Sequence, residues 1–300
     1  MQEYMQAWFD TSEVLELIDP NTAVYLLVVV VVLYIGKLVN DVLSPYSLSQ
    51  ELTEHDNKAL ALSFSGYFLG LALILAGVLR SDPSIQITGH ATRDLLADIG
   101  NMTLWGGIGM ALLLVARVLN DKTLLHRFDN MKELVEDRNV GTGAVQAGAY
   151  VGSALIIVAA MYGDDDSTFP TGLVSTLVYF LLGQLAFVAF GMLYQGVSRF
   201  DLHHEIEQNN VAAGVAFGMT LTAIGILLSG YIMNFDSLIG LAVWFAISAF
   251  SLVTIRYLVD KLILPGKLLD EEISGDRNWG AALLEGCACI GIAFILNASL

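Results

Sequence analysis

Eight stretches of the chain are apolar almost throughout, near residues 22–43, 58–79, 99–119, 141–162, 171–196, 211–233, 237–259 and 279–299. About 20 such residues in helical conformation cross the ~30 Å hydrocarbon core of a bilayer. A membrane-spanning strand would instead need segments of about 10 residues alternating polar and apolar. Runs such as "VYLLVVVVVLYIG" do not alternate. The pattern therefore predicts an all-α membrane protein with eight transmembrane helices. Composition agrees: 55% of residues are hydrophobic and 15% charged, with a mean hydropathy of +0.65, well beyond a soluble domain of this size.

The segment before the first span, "MQEYMQAWFDTSEVLELIDP", opens with acidic residues and has no compact apolar core, so it does not read as a cleavable signal. It reads as an extracytoplasmic amphipathic segment, residues 1–20, with Trp8 and Phe9 at the membrane interface. Cys287 and Cys289 lie two apart inside the last span, a spacing that suits neither a disulfide nor a zinc site.

Of the 14 Lys and Arg residues, all but Arg80 and Arg93 lie in or beside the loops that follow spans 1, 3, 5 and 7. Basic residues in short loops stay cytoplasmic. Those loops are therefore expected to be cytoplasmic and both termini outside. The net charge of −16 comes from acids on both sides, including "DDD" at 164–166, and disfavours nucleic acid as a partner.

The polar loops also reveal a repeat. "EHDNKALALSFSG", "VEDRNVGTGAVQAG", "IEQNNVAAGVAFGM" and "SGDRNWGAALLEGC" align on Asn57, Asn139, Asn210 and Asn278. Small residues follow each Asn at the second position (Ala59, Gly141, Ala212, Gly280), the fourth (Ala61, Gly143, Gly214, Ala282) and the eighth (Ser65, Ala147, Gly218, Gly286). The asparagines stand 82, 71 and 68 residues apart, so the unit is a pair of spans, and four copies share one orientation. Such parallel repeats argue against an inverted-repeat transporter. Three odd spans end in a basic residue followed four later by Asp: Lys37 and Asp41, Arg117 and Asp121, Arg256 and Asp260. The third unit departs, with Gln195 and Arg199 there and a shorter loop.

Each Asn begins an even span and is placed to cap it; the other reading is a ring of four Asn at a cytoplasmic mouth. Small residues at Gly143, Gly214, Gly218 and Gly286 point to close helix packing, or else to a narrow pore lined by backbone. Lys37, Arg117 and Arg256 are expected to snorkel to the interface, or to hold lipid headgroups. The seventh residue after each Asn is Phe64, Gln146, Phe217 and Glu285. Glu285 falls roughly 10 Å past the cap, where an acid costs about 2.5–3.5 kcal/mol. Two readings stand: a proton or cation site shared with Gln146, or a protonated acid bonded to a neighbouring helix. His203 and His204 point different ways on a helix and carry no ligand spacing. No metal or cofactor is expected, and no nucleotide loop or catalytic motif appears.

The stretch "LTEHDNKALALSFSGYFLGLALILAG" resembles the signature of the domain of unknown function 350 (YjfL-like) family, carried by Glu54, Asp56, Asn57, Ala59, Gly66 and Gly70. The resemblance implies two tandem copies, 21–163 and 164–300, in a multi-pass protein of the bacterial inner membrane with no established activity. The second copy departs at Gln208 and Asn209, which stand where the first has His55 and Asp56. The combined expectation is a non-enzymatic protein of the lipid bilayer serving ion or small-solute passage or membrane integrity. The alternative is an anchor recruiting a cytoplasmic protein partner, and a homo-oligomer is left open.

Overall fold

A computed structural model describes residues 20–80, 91–162, 168–264 and 266–300. The expected amphipathic segment with Trp8 and Phe9 and the acidic run at 164–166 lie outside the described residues. Among the described residues there is no strand, and eight helices are long and apolar enough to cross a membrane.

The odd spans are α1 (Pro20–Leu43), α4 (Ala91–Thr123), α7 (Phe169–Val197) and α10 (Leu238–Leu258), the last running into a π-helical turn at Val259–Ile263. The even spans are α3 (Lys58–Arg80), α6 (Val140–Met161), α9 (Val211–Asn234) and α12 (Trp279–Asn297). Between each odd and even span sits a six-residue helix: α2 (Leu48–Thr53), α5 (Asn130–Val135), α8 (Leu202–Glu207) and α11 (Leu269–Ser274). The hydropathy pattern misses these short helices, because six residues span less than two turns and show no period. Local capping makes them visible. Ser47, Asp129 and Asp201 accept from backbone N–H groups in the first turns of α2, α5 and α8, and Asp260 accepts from Leu269 N at the start of α11.

Helix α4 begins eight residues before its hydropathy window, since Arg93, Asp94 and Asp98 interrupt the apolar run without ending the helix. Asp94 suits the positive end of the helix dipole, and Tyr25 of α1 donates to Asp98 at 2.9 Å.

The even spans stand in a row, α3 beside α6, α6 beside α9, α9 beside α12. The odd spans form a second layer: α4 lies against α3 and α6, α7 against α6 and α9, and α10 against α9 and α12. Small residues set the spacing within the row. A Cβ added to Gly143 would lie 2.3 Å from the Ala59 carbonyl oxygen, one on Gly214 2.2 Å from that of Gly141, and one on Gly218 2.3 Å from that of Ala144. A Cβ on Gly286 would meet the Met219 side chain at 2.5 Å. Apolar burial gives no drive for helices to associate in lipid, so such backbone-to-backbone approach supplies the contact. Burial follows the row: 72% of the apolar window of α6 and 78% of that of α9 is buried, against 11% for α1. Side chains such as Val42, Ile239 and Phe250 remain exposed on the outer helices, the surface that meets lipid.

Candidate functional site

At the end of the bundle where odd spans finish and even spans begin, one arrangement occurs four times. The residue before each Asn has a left-handed backbone, with φ of 48° at Asp56 and Arg138, 55° at Asn209 and 49° at Arg277. That conformation ends the short helix and swings the Asn onto the next span. The Asn side-chain oxygen then accepts from the backbone of its own even span: Asn57 from Leu60 N, Asn139 from Thr142 N, Asn210 from Ala213 N, and Asn278 from Gly280 N and Ala281 N.

The same Asn holds a carboxylate. Its Nδ2 donates to Glu51 at 3.0 Å, Glu133 at 2.6 Å, Glu205 at 2.9 Å or Glu272 at 2.9 Å. In three units Nδ2 also reaches the next unit, donating to the carbonyl of Leu134 at 2.9 Å, Ile206 at 2.6 Å and Ile273 at 2.8 Å. The third unit has one residue fewer between acid and Asn, yet Asn210 N still donates to the Glu205 carbonyl. Asn57, Asn139 and Asn210 are buried, so they do not line an open mouth. Sequence reading passed over the four glutamates, although "ELTEHDN", "ELVEDRN", "EIEQNN" and "EISGDRN" carry the signal.

Their surroundings differ. The hydrogen bond from Asn57 holds the Glu51 carboxyl below its ordinary value, with His55 adding to the effect. Burial pushes the Glu133 carboxyl up, against the Asn139 bond. His203 is buried against the Leu124 carbonyl and Gln195, and that burial lowers its basicity; His204 is exposed.

Deeper in the bundle, Gln146 and Glu285 do not share a site. Gln146 accepts from Ser63 Oγ at 2.6 Å and donates to Asp121 at 3.0 Å, and Asp121 faces Arg117 at 3.8 Å. Glu285 is fully buried among α7, α9, α10 and α12. Its Oε1 accepts from Tyr194 at 3.1 Å and lies 3.3 Å from Arg256 Nε. Arg256 does not snorkel to an interface. It is buried, stands over the Tyr194 ring at 5.0 Å, donates to Ser198 at 2.9 Å and pairs with Asp270 of α11. The Arg256–Asp260 spacing makes no ion pair, because Asp260 lies in the π turn and bonds the Leu269 N–H instead. Glu285 Oε2 is buried and has no hydrogen-bond partner among the described residues. Beside it Phe190, Val197, Thr220, Leu252 and Cys289 line a cavity of about 10 Å³, near the room of one water.

A family model described as Domain of Unknown Function (DUF350) matches residues 11–161 and again 168–300. The chain belongs to the DUF350 family. It is similar to a UPF0719 transmembrane protein of Aquifex aeolicus (strain VF5), 26% identical over 255 residues, covering 83% of this chain and 88% of that one. It is also similar to the UPF0719 transmembrane protein YshE of Bacillus subtilis (strain 168), 23% identical over 128 residues, 43% of this chain and 94% of YshE. No solved structure matches. This DUF350 chain is thus a multi-pass transmembrane protein with two tandem family segments, and the Glu285 cluster lies in the second.

Sequence reading found Glu285 and missed its partners. Arg256 was visible at the repeated basic position of the odd spans, but the i,i+4 Asp drew attention to the wrong acid.

Proposed function

We propose that this protein handles protons or small cations inside the bilayer, with Glu285 as the binding group and no enzymatic activity. The observation that carries this reading is the unshared Oε2 of Glu285 beside a cavity, while Oε1 takes both Tyr194 and Arg256. With both carboxylates ionised, Asp270, Arg256 and Glu285 hold two negative charges against one positive. A carboxylate oxygen without a donor is costly in a low-dielectric interior. One proton at Oε2 balances the cluster by neutralising the carboxylate, and one small cation there balances it and supplies the missing partner. Leu193 and Val197 of α7 and Leu252 and Val253 of α10 line the cavity together with Thr220 of α9.

The division of basic residues supports placing the Asn clamps on the cytoplasmic side of a bacterial inner membrane, both termini outside. Asp270 then lies on the cytoplasmic side of Glu285, with Arg256 between them. Wild-type protein in liposomes is expected to carry proton or monovalent-cation flux above that of empty liposomes, and Glu285→Gln to abolish the flux or its pH dependence while the fold persists. Wild-type flux equal to that of empty liposomes, together with an unaffected Gln variant, rejects this reading. The anchor reading then stands. It is favoured by one observation of its own, the ordered face made by α2, α5, α8 and α11 and their clamps.

A further inference from the structure

Each joint between neighbouring units has three parts. An Asn donates to the carbonyl after the next unit's clamp glutamate, as Asn57 to Leu134, Asn139 to Ile206 and Asn210 to Ile273. Small residues bring the even spans together, as Gly66 against Ala147 and Gly70 against Ala154 in the first joint and Gly148 against Gly218 in the second, while in the third Gly286 packs on the Met219 side chain. The odd span of the later unit lies on the even span of the earlier one, as α4 on α3, α7 on α6 and α10 on α9.

The two ends of the row present the two halves of such a joint. Asn278 donates to its own Glu272, and among the described residues to no carbonyl of a further unit. The Leu52 carbonyl, which follows clamp residue Glu51, accepts no hydrogen bond from the described residues. On α12 the outward positions are Gly280, Cys287 and Gly291. Gly291 has nothing within 4 Å of an added Cβ, and Gly280 only the Oδ1 of Asn278. They match Ala59, Gly66 and Gly70 of the first unit, residue for residue after the Asn. On α3 the matching outward positions include Ser65 and Ala76, both exposed, and among the described residues α1 has no earlier even span to lie on.

We propose that copies of this chain join head to tail, α12 of one copy packing on α3 and α1 of the next, with Asn278 donating to Leu52 of that second copy. Copies inserted in the same sense in one membrane meet this requirement, because neighbouring units within the chain already share one orientation. The contact is heterologous, so its repetition closes a ring or extends an array. The family segments give independent support. The middle joint, α6 on α9, links the segment 11–161 to the segment 168–300. YshE, aligned over 94% of its length by 128 residues, is the size of one segment. A chain of that size can make the same joint only between copies.

The native Cys287 provides the test. It stands where Gly66 stands in the first unit, and an added Cβ on Gly66 lies 2.8 Å from the Cβ of Ala147, whose equivalent on the open face is Ser65. Ser65→Cys, oxidised in native membranes, is expected to give disulfide-linked dimers and higher multiples through Cys287. Phe250→Cys, on a lipid-facing surface of α10, is expected to give none. Gly291→Leu on the Ser65→Cys background should leave detergent stability unchanged, since among the described residues nothing lies within 4 Å of an added Cβ there, while overpacking at the contact lowers the linked fraction about tenfold, the equivalent of about 1.4 kcal/mol. Absence of linked species, equal linking from positions 65 and 250, or full linking in the Gly291→Leu background overturns the proposal.

Discussion

Seven residues past its capping Asn, the second unit carries Gln146 and the fourth carries Glu285, and the two solve the same problem with opposite charge layouts. In the second unit the acid is Asp121, one turn beyond Arg117 on the odd span, and the even span contributes a neutral amide. In the fourth unit the π turn takes Asp260 away to the start of α11, and the acid that meets Arg256 comes from the even span. Asp121 retains some exposure, with 28% of its side chain accessible, whereas Glu285 has none. One scaffold position therefore holds either a bridging amide or a buried charge, depending on where the odd span's own acid is directed.

The largest test of this contrast removes the cation. Arg256→Leu leaves Glu285 buried without its counter-charge and frees Asp270, and breaking a buried pair in this way costs about 3–5 kcal/mol. Arg117→Leu should cost less, about 1–3 kcal/mol, because Asp121 keeps its bond from Gln146 and its partial exposure. Unfolding midpoints in detergent compare the two. Equal losses would mean that burial does not separate the sites.

Exchanging the occupants is the next test. Gln146→Glu sets a second carboxylate against Asp121, now 3.0 Å from the amide, and should destabilise by about 1–3 kcal/mol at neutral pH, recovering in acid as one carboxyl takes a proton. Glu285→Gln does the reverse. It leaves Arg256 balanced by Asp270 and keeps an acceptor for Tyr194, so the stability change should stay within about 1 kcal/mol. A destabilisation from Glu285→Gln as large as that from Arg256→Leu would show that the ionised carboxylate holds the bundle together, and the contrast with Gln146 would be one of strength alone.

The spans were legible because continuous hydropathy over about 20 residues is a property of composition, independent of partners. The Asn positions and the small residues were legible because repetition makes them visible in one chain. What escaped was relational. The clamp glutamates act through a turn whose left-handed residue is Asp, Arg or Asn, so no glycine announces it. The Glu285 partners come from three other elements, Tyr194 from α7, Arg256 from α10 and, through Arg256, Asp270 from α11. Nothing in linear spacing states that the π turn redirects Asp260. The placement of Gln146 and Glu285 in separate networks likewise depends on which odd span each even span meets.

The smallest expected effect separates the clamps of the first two units. Asn57 bonds Glu51 and keeps its carboxyl below the ordinary 4.5, whereas burial lifts Glu133 above it. A carboxyl lowered by folding contributes stability that is present above the unfolded value and is lost as pH falls through the lowered one. A carboxyl raised by folding contributes stability that is complete below the unfolded value and is lost as pH rises through the raised one. Glu51→Gln should therefore weaken the protein relative to wild type near neutral pH, with the deficit shrinking in acid. Glu133→Gln should improve relative to wild type as pH rises, because it removes a group whose ionisation opposes folding. Denaturant midpoints of both variants in detergent, taken in acid and at neutral pH, give the sign of each change. Opposite tilts would show that one hydrogen-bond motif, repeated with the same Asn and the same Glu, is set apart by its surroundings, with His55 beside Glu51 and burial near Asp137 and Glu207 at Glu133. Tilts of the same sign would mean that the Asn bond dominates at both clamps and that burial there is secondary.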